Sequence, residues 1–381
     1  MARLLNKMDK VLLFFTIIMF VFGLLMVYDA SSTKSFMEYG VNTKYFSKQL
    51  IILIASLFIS IFIMIVPTKR YKKVIIPISV VIIVIMLYLL VSGETTAGAK
   101  SWLYIGPLGL QPSEFAKIAL ILFTGIYYRA NLKYLNNYVP ALIPVGLGAV
   151  FTGLTMFQPD GGTGIILFLI TALLFYASPV TKEIKIKTTT YCLIFGVILL
   201  LLFMIIGKSP FTNMQKGRFN FTKPCTRYQE NSGYQVCNGY IAINNGKLFS
   251  FLPGNSRQKY DYLPEAFTDF IFPIVIEEFG LITGLLILII YLTMIIRILI
   301  IAQKCTNTGN ALICYGIACF IALHVLINLV GVLGLLPLTG VPLPFLSYGG
   351  SFALTLSISL AIVQRISIEN YNYMQKKVLE K

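Results

Sequence analysis

The sequence is poor in charge: Asp, Glu, Lys and Arg make up 12% of its 381 residues, and only fifteen are acidic. That scarcity excludes a soluble domain of this length, which would have too little polar surface to cover it. Histidine and tryptophan occur once each, as His324 and Trp102. The six cysteines show no metal-ligand spacing. Nucleotide-binding signatures are missing too. Gly207-Lys208-Ser209 lacks the upstream glycine of a P-loop, and no Gly-x-Gly-x-x-Gly follows a strand.

What is there is hydrophobic: 57% of the residues, with a mean hydropathy of +0.81. Apolar runs of roughly 17–25 residues recur, which predicts an all-α polytopic membrane protein. Ten spans can be drawn, near 11–27, 46–66, 74–92, 113–129, 138–157, 164–178, 188–207, 271–301, 311–333 and 351–367. The first follows Arg3, Lys7 and Lys10 and is long for a signal-peptide core. Tyr28-Asp29-Ala30 is a poor cleavage site, so this run reads as an uncleaved span. The formal charge of +16 does not point to nucleic acid, because the basic residues fall in short inter-helix loops. With a cytoplasmic N-terminus, the inside segments carry eighteen of them, among them Lys69, Arg70, Lys72, Lys73, Arg129 and Lys133. The short outside loops carry four: Lys34, Lys44, Lys48 and Lys100. Both termini are therefore expected in the cytoplasm, and residues 1–381 read as a single integral membrane domain.

One loop, 208–270 between spans seven and eight, is long, polar and outside. It carries eight basic residues, including Lys208, Lys216, Arg218, Arg257 and Lys259, against the acids Glu230, Asp261, Glu265 and Asp269. Structureless loops of this length are uncommon unless functional. The alternative is a solvated insertion, which its aromatic content and the turn Pro253-Gly254-Asn255 argue against. Cys225 and Cys237 lie in it; they are either free thiols or, on the oxidising side of a membrane, a bridge worth about 3 kcal/mol.

The loop closes on Tyr262-Leu-Pro-Glu-Ala-Phe-Thr-Asp-Phe-Ile-Phe272 and enters an apolar helix, so Asp269 sits where water meets membrane. Three other outer stretches mix Gly and Pro with polar groups: 98–114, 158–163 and 337–351. Non-helical backbone at membrane depth survives only inside protein or lining a cavity, so the four stretches read either as one outward-facing cavity or as unrelated loops. Glu114 and Lys117, three apart on a helix, share a face and can pair. Glu277, Glu278 and His324 fall within spans, where helix-to-helix hydrogen bonds compete with functional roles. Trp102 suits stacking on a sugar or anchoring at the interface.

Taken together, Gly98-Ala99…Trp102…Gln111-Pro-Ser-Glu114…Lys117, Gln158-Pro-Asp160, Gln258-Lys259…Leu263-Pro-Glu-Ala…Thr268-Asp-Phe-Ile-Phe272…Glu277-Glu278…Gly280 and Gly340…Pro342-Leu-Pro…Ser347-Tyr-Gly-Gly-Ser351 resemble the SEDS (shape, elongation, division, sporulation) family along the whole chain. The resemblance implies a peptidoglycan glycosyltransferase that polymerises lipid II on the outer face of the bacterial cytoplasmic membrane. Asp269 would be its essential carboxylate. Lys100, Trp102, Gln111, Glu114, Lys117, Arg257, Lys259, Glu265, Thr268 and Ser347 are the candidate substrate-binding residues, Lys100 as a possible replacement for the cation that the family usually has before the motif Trp. The resemblance also implies a class B penicillin-binding transpeptidase and other elongation or division proteins as partners. The chain departs from the family pattern at Ser101, Gly161-Gly162, Ser250, Leu252 and Phe267, and the Cys225/Cys237 pair is not a family feature. Elongation, division and sporulation roles all fit.

The chemistry follows from the placement. Outside the membrane, a sugar transferase needs a pre-activated donor such as a lipid diphosphate sugar. Inverting transfer needs one general base and a way to stabilise the departing diphosphate. Asp269 suits the first task; Lys259, Arg257, Lys100 or a divalent cation, Mg or Mn, suits the second, with no organic cofactor. Thr268 or Asp269 could equally cap the following helix, a role compatible with catalysis. A lipid flippase or transporter, and a non-catalytic scaffold for a transpeptidase, are the competing readings.

Overall fold

The computed structural model describes residues 6–93, 99–106, 108–206, 221–250 and 253–379. Gly98, Lys208, Lys216, Arg218 and Leu252 lie outside them. The described chain is built of α1 (Lys10–Tyr39), α2 (Lys44–Ile65), α3 (Tyr71–Ser92), α4 (Pro112–Ala130), α5 (Tyr138–Phe157), α6 (Gly161–Ala177), α7 (Lys182–Ile206), α8 (Asn231–Gly246), α9 (Ile271–Phe279), α10 (Leu281–Gln303), α11 (Thr308–Val332) and α12 (Gly350–Leu379). The all-α class holds, with one small addition: β1 (Leu103–Ile105) and β2 (Leu108–Leu110) pair as an antiparallel hairpin ahead of α4.

Among the described residues, seven helices are long and apolar enough to cross a membrane: α1, α2, α3 with the turn before it, α5, α10, α11 and α12. The expected spans at 113–129, 164–178 and 188–207 appear as α4, α6 and α7; α6 is apolar but shorter than those seven. Burial sorts the bundle. Within their apolar windows, 72% of α12 and 56% of α11 are buried, but only 11% of α2, so α11 and α12 are central and α2 faces lipid.

The expected limits shift where hydropathy reports the bilayer rather than the helix. α1 runs on to Tyr39 and α12 to Leu379, well past their apolar runs. The expected span 271–301 is two helices, broken at Gly280 with φ 83°. The cause lies in the chain that leaves α8. Leu281 N–H donates to Lys247 O (3.0 Å) and Ile282 N–H to Leu248 O (3.2 Å). These bonds satisfy the first donors of α10, and a Cβ on Gly280 would lie 2.6 Å from Ser250 N. The long loop also contains α8, whose Asn-rich sequence hid it. α8 packs on α9 so closely that a Cβ at Gly246 would sit 2.0 Å from Ile276 O. A disulfide, Cys225–Cys237, ties the turn before α8 to the first half of that helix.

Glycines also seat the outer segment 337–349. A Cβ at Gly23 in α1 would fall 2.0 Å from Phe345 O, which belongs to a turn where Phe345 takes φ 68°. Close backbone approach of this kind is how helices pack in lipid. Gly23→Ala should therefore destabilise the protein by about 1–3 kcal/mol through overpacking. Gly146→Ala, on a helix with open space around it, should be neutral or slightly stabilising. Thermal midpoints of the two variants in detergent check the difference in sign.

Candidate active site

The stretch before α9 is a run of turns rather than a helix. Glu265 takes φ 58°, and its carbonyl accepts both Thr268 N–H (3.1 Å) and Phe270 N–H (3.2 Å). That fold-back corrects the expectation of a helix cap at Thr268 or Asp269. The N-cap of α9 is Phe270, without a side-chain cap bond. Thr268 Oγ1 lies 2.8 Å from Glu265 Oε2 and 3.2 Å from Asp269 Oδ1. The hydroxyl has one proton, so it serves one acid at a time. Lys34, counted in the sequence only as an outer-loop cation, reaches this turn from α1. Its Nζ is 3.9 Å from Glu265 Oε1 and 5.4 Å from the centre of the Phe267 ring.

Asp269 is half-buried on a small open cleft that it shares with Asn328, Gly340 and Val341. Asn328 Nδ2 donates to Asp269 O and to Val341 O, both at 2.8 Å, joining the acidic turn to segment 337–349. Its Oδ1 is buried without a hydrogen-bond partner among the described residues. Gly340 has φ 70°, and a Cβ there would lie 3.9 Å from Asp269 Oδ2, so bare backbone faces the carboxylate. Tyr348 N–H donates to Phe267 O (2.8 Å) as a second tie.

One turn below Asn328 on α11, His324 pairs Nδ1 with Pro342 O (3.3 Å) and Nε2 with Lys117 Nζ (2.9 Å). A carbonyl only accepts and an ammonium only donates, so the ring is neutral with its proton on Nδ1. Lys117 also binds Glu114 Oε1 at 2.7 Å and lies over the Phe320 and Phe352 rings. All three polar groups are buried. Glu114–Lys117–His324 thus forms a chain ending on the carbonyl next to the one that Asn328 holds.

The remaining outer elements meet at the same end. Gln111 Nε2 donates to Asp160 Oδ2 (2.7 Å), and Asp160 Oδ1 caps α6 at Thr163 N–H (3.2 Å). Gln111 N–H donates to Ser351 Oγ (2.9 Å), which donates to Gly109 O (3.3 Å). Lys100 N–H bonds Gln158 O (3.2 Å). Trp102 packs across the hairpin against Gly109. Ser347 Oγ is turned inward, accepting from Leu343 N–H (2.8 Å).

Lys259 and Arg257 part company. Lys259 is buried, with Nζ 2.7 Å from Asp29 Oδ1 on α1 and 2.9 Å from Glu278 Oε1. Burial alone would lower its ammonium, but the hydrogen bonds and charges of Asp29 and Glu278 outweigh this and hold it above its ordinary value. Beside it Glu277 accepts from Asn245 Nδ2 (2.9 Å), Gln258 N–H (3.3 Å) and Ser256 Oγ. Those bonds moor the turn around Ser256 to α9. Arg257 is exposed, with no ion pair among the described residues. Asn328 and Lys34 were missed in the sequence. Asn328 left one signal: it follows His324 by four in an apolar helix, which puts both on one face.

With this geometry in view, the comparisons with known proteins are consistent. Residues 9–372 match the profile of the FtsW, RodA and SpoVE proteins, described as cell cycle proteins. The chain is 34% identical to the probable peptidoglycan glycosyltransferase FtsW of Bacillus subtilis (strain 168), covering 99% of this chain and 95% of that protein. It is 30% identical to stage V sporulation protein E of the same organism, over 94% and 96% of the two chains. Among solved structures, a chain of a peptidoglycan synthase complex superposes with a TM-score of 0.74 at 20% identity, covering 96% of this chain and 98% of that one. Thermus thermophilus RodA gives 0.67 at 21% identity with the same coverage. Those two likenesses concern the fold, while the profile and the sequence identities carry the relationship: the chain belongs to the FtsW/RodA/SpoVE family.

Proposed function

We propose that this protein is a peptidoglycan glycosyltransferase that polymerises lipid II, with Asp269 as general base. The observation that carries the assignment of the base is its setting. Asp269 lies where the polar outer loop enters an apolar helix, is half-buried, and has its backbone clamped by Asn328 beside an open cleft. A positioned carboxylate of this kind can take the acceptor hydroxyl proton as that oxygen attacks the donor's anomeric carbon. The bond from that carbon to the diphosphate oxygen breaks, its electron pair leaves on the lipid diphosphate, and the centre inverts. The curated names of the relatives, probable peptidoglycan glycosyltransferases at 32–34% identity, support the reaction class.

In this reading α4, α6 and α7 complete ten spans in the bacterial cytoplasmic membrane, with both termini inside and Asp269 outside. The excess of Lys and Arg in the inside loops supports the orientation. Arg257 and Lys100 neutralise the departing diphosphate, while Lys259 is committed to Asp29 and Glu278 and acts through the fold. A Mg or Mn ion would ride on the diphosphate, since no three His, Cys, Asp or Glu side chains gather into a metal site among the described residues. A class B penicillin-binding transpeptidase as partner is supported by the fold's likeness to a chain of a peptidoglycan synthase complex.

Purified protein given lipid II should make glycan chains. Asp269→Asn should lose at least about 100-fold in rate with an unchanged thermal midpoint; full activity in that variant would sink the assignment. Flipping of labelled lipid II in liposomes without polymer would instead establish a transporter. Lys259→Met should leave two acids unpaired and cost about 3–5 kcal/mol of stability, whereas Arg257→Ala should raise KM and spare the midpoint. The pH dependence has a defined sign. A lysine raised by folding stabilises below its unfolded pKa, about 10.4, and that contribution is lost as pH rises through the higher folded value. The gap in midpoint between wild type and Lys259→Met should therefore be full at neutral pH and close only under strongly alkaline conditions.

A further inference from the structure

At the opposite end of α11 from the candidate base lies a second cavity, of about 270 Å³, that the proposed reaction does not use. Asn310 on its wall and Asn328 beside Asp269 are separated by about 27 Å along one helix, at 1.5 Å per residue. That is close to the ~30 Å thickness of a bilayer's hydrocarbon core, so the two sites sit at opposite membrane boundaries. The walls of the cavity come from the start of α3, the end of α4 and the start of α11.

Its chemistry is one-sided. Lys69, Lys72 and Arg129 line it, all exposed and none in an ion pair among the described residues. The nearby acid is Glu369, whose charge is met by Arg365 at 3.1 Å and whose oxygens accept from Thr68 N–H, Thr68 Oγ1 and Asn310 Nδ2. The three cations are therefore uncompensated. At the start of α11, Gly309 N–H and Asn310 N–H are already taken by Asn307 Oδ1. The rest of the wall is apolar: Ile126, Ala130 and Ile313. Gly309 and Gly125 keep α4 and α11 in backbone contact beneath it, and a Cβ on either would lie 2.7 Å from the other's carbonyl oxygen.

We infer that this cavity binds the phosphate of an anionic glycerophospholipid in the leaflet facing away from Asp269. Three cations around a cavity, at the bilayer boundary, suit a phosphodiester. The apolar wall suits the glycerol and first acyl carbons, which a free phosphate ion does not have. The ligand chemistry is shared between lipid phosphate and inorganic phosphate, and the wall favours the lipid.

Native mass spectrometry of the full-length, delipidated protein tests this, with dioleoylphosphatidylglycerol, dioleoylphosphatidylcholine or sodium phosphate as titrant. Wild type should bind one phosphatidylglycerol at least about 10-fold more tightly than phosphatidylcholine. The triple variant Lys69→Gln/Lys72→Gln/Arg129→Gln should lose that preference and keep its phosphatidylcholine binding. Ala130→Trp, made at an exposed wall position, should block the site with every cation in place. Equal phosphatidylglycerol binding by wild type and both variants would overturn the proposal. Sodium phosphate that occupies the site and displaces the lipid at equal concentration would overturn the lipid assignment in favour of the free ion.

Discussion

Backbone that is not helical cannot sit at membrane depth unless the protein itself supplies its hydrogen-bond partners. Segment 337–349 is such backbone, and much of the outer half of this structure serves it. Asn328 and His324, one turn apart on α11, hold the adjacent carbonyls of Val341 and Pro342. Ser347 folds back onto Leu343 N–H, and Tyr291 Oη donates to Pro344 O. Gly23 lets α1 pass against Phe345 with no side chain between. Asn328 spends its second amide proton on Asp269 O, so the carboxylate inherits its position from the same network.

A chain with so few charges pairs most of those that it buries, Glu277 with its neutral donors excepted. Lys117 with Glu114, Lys259 with Asp29 and Glu278, and Arg297 with Asp9 each bring together residues from the interior or its edge. Buried pairs of this kind contribute little net stability, but losing one partner is costly. They act as constraints on register: Lys259 fixes the outer turn to α1 and α9, and Arg297 fixes α10 to the start of α1. Arg257 outside and Lys69, Lys72 and Arg129 at the other end are, by contrast, exposed and in no ion pair among the described residues.

The division of labour around Asp269 follows. Glu265 and Thr268 share its turn, and Lys34 lends a cation from α1. Glu114, Lys117 and Gln111 reach it only through other groups: a histidine and a carbonyl for the first two, and the N-terminal ends of α6 and α12 for the third. Their bonds hold the outer elements around the cleft.

The sequence by itself determined the membrane class, since apolar length and the placement of Lys and Arg depend on composition alone. It also singled out Asp269, because a carboxylate at the edge of an apolar run is visible without coordinates. The pairing of Glu114 with Lys117 was legible too, being three residues apart on one helix. Only the tertiary structure decided the rest. The break at Gly280 depends on hydrogen bonds from α10 back to residues 247 and 248, and α8 gains its place from the face of α9. Asn328 and Lys34 reach the site from helices 59 and 235 residues away in sequence. Lys259, which looked like a phosphate ligand, turned out to be neutralised by Asp29 across 230 residues. Local pattern reports helix, span and side of the membrane; which charge meets which is settled by long-range packing, and no spacing along the chain encodes it.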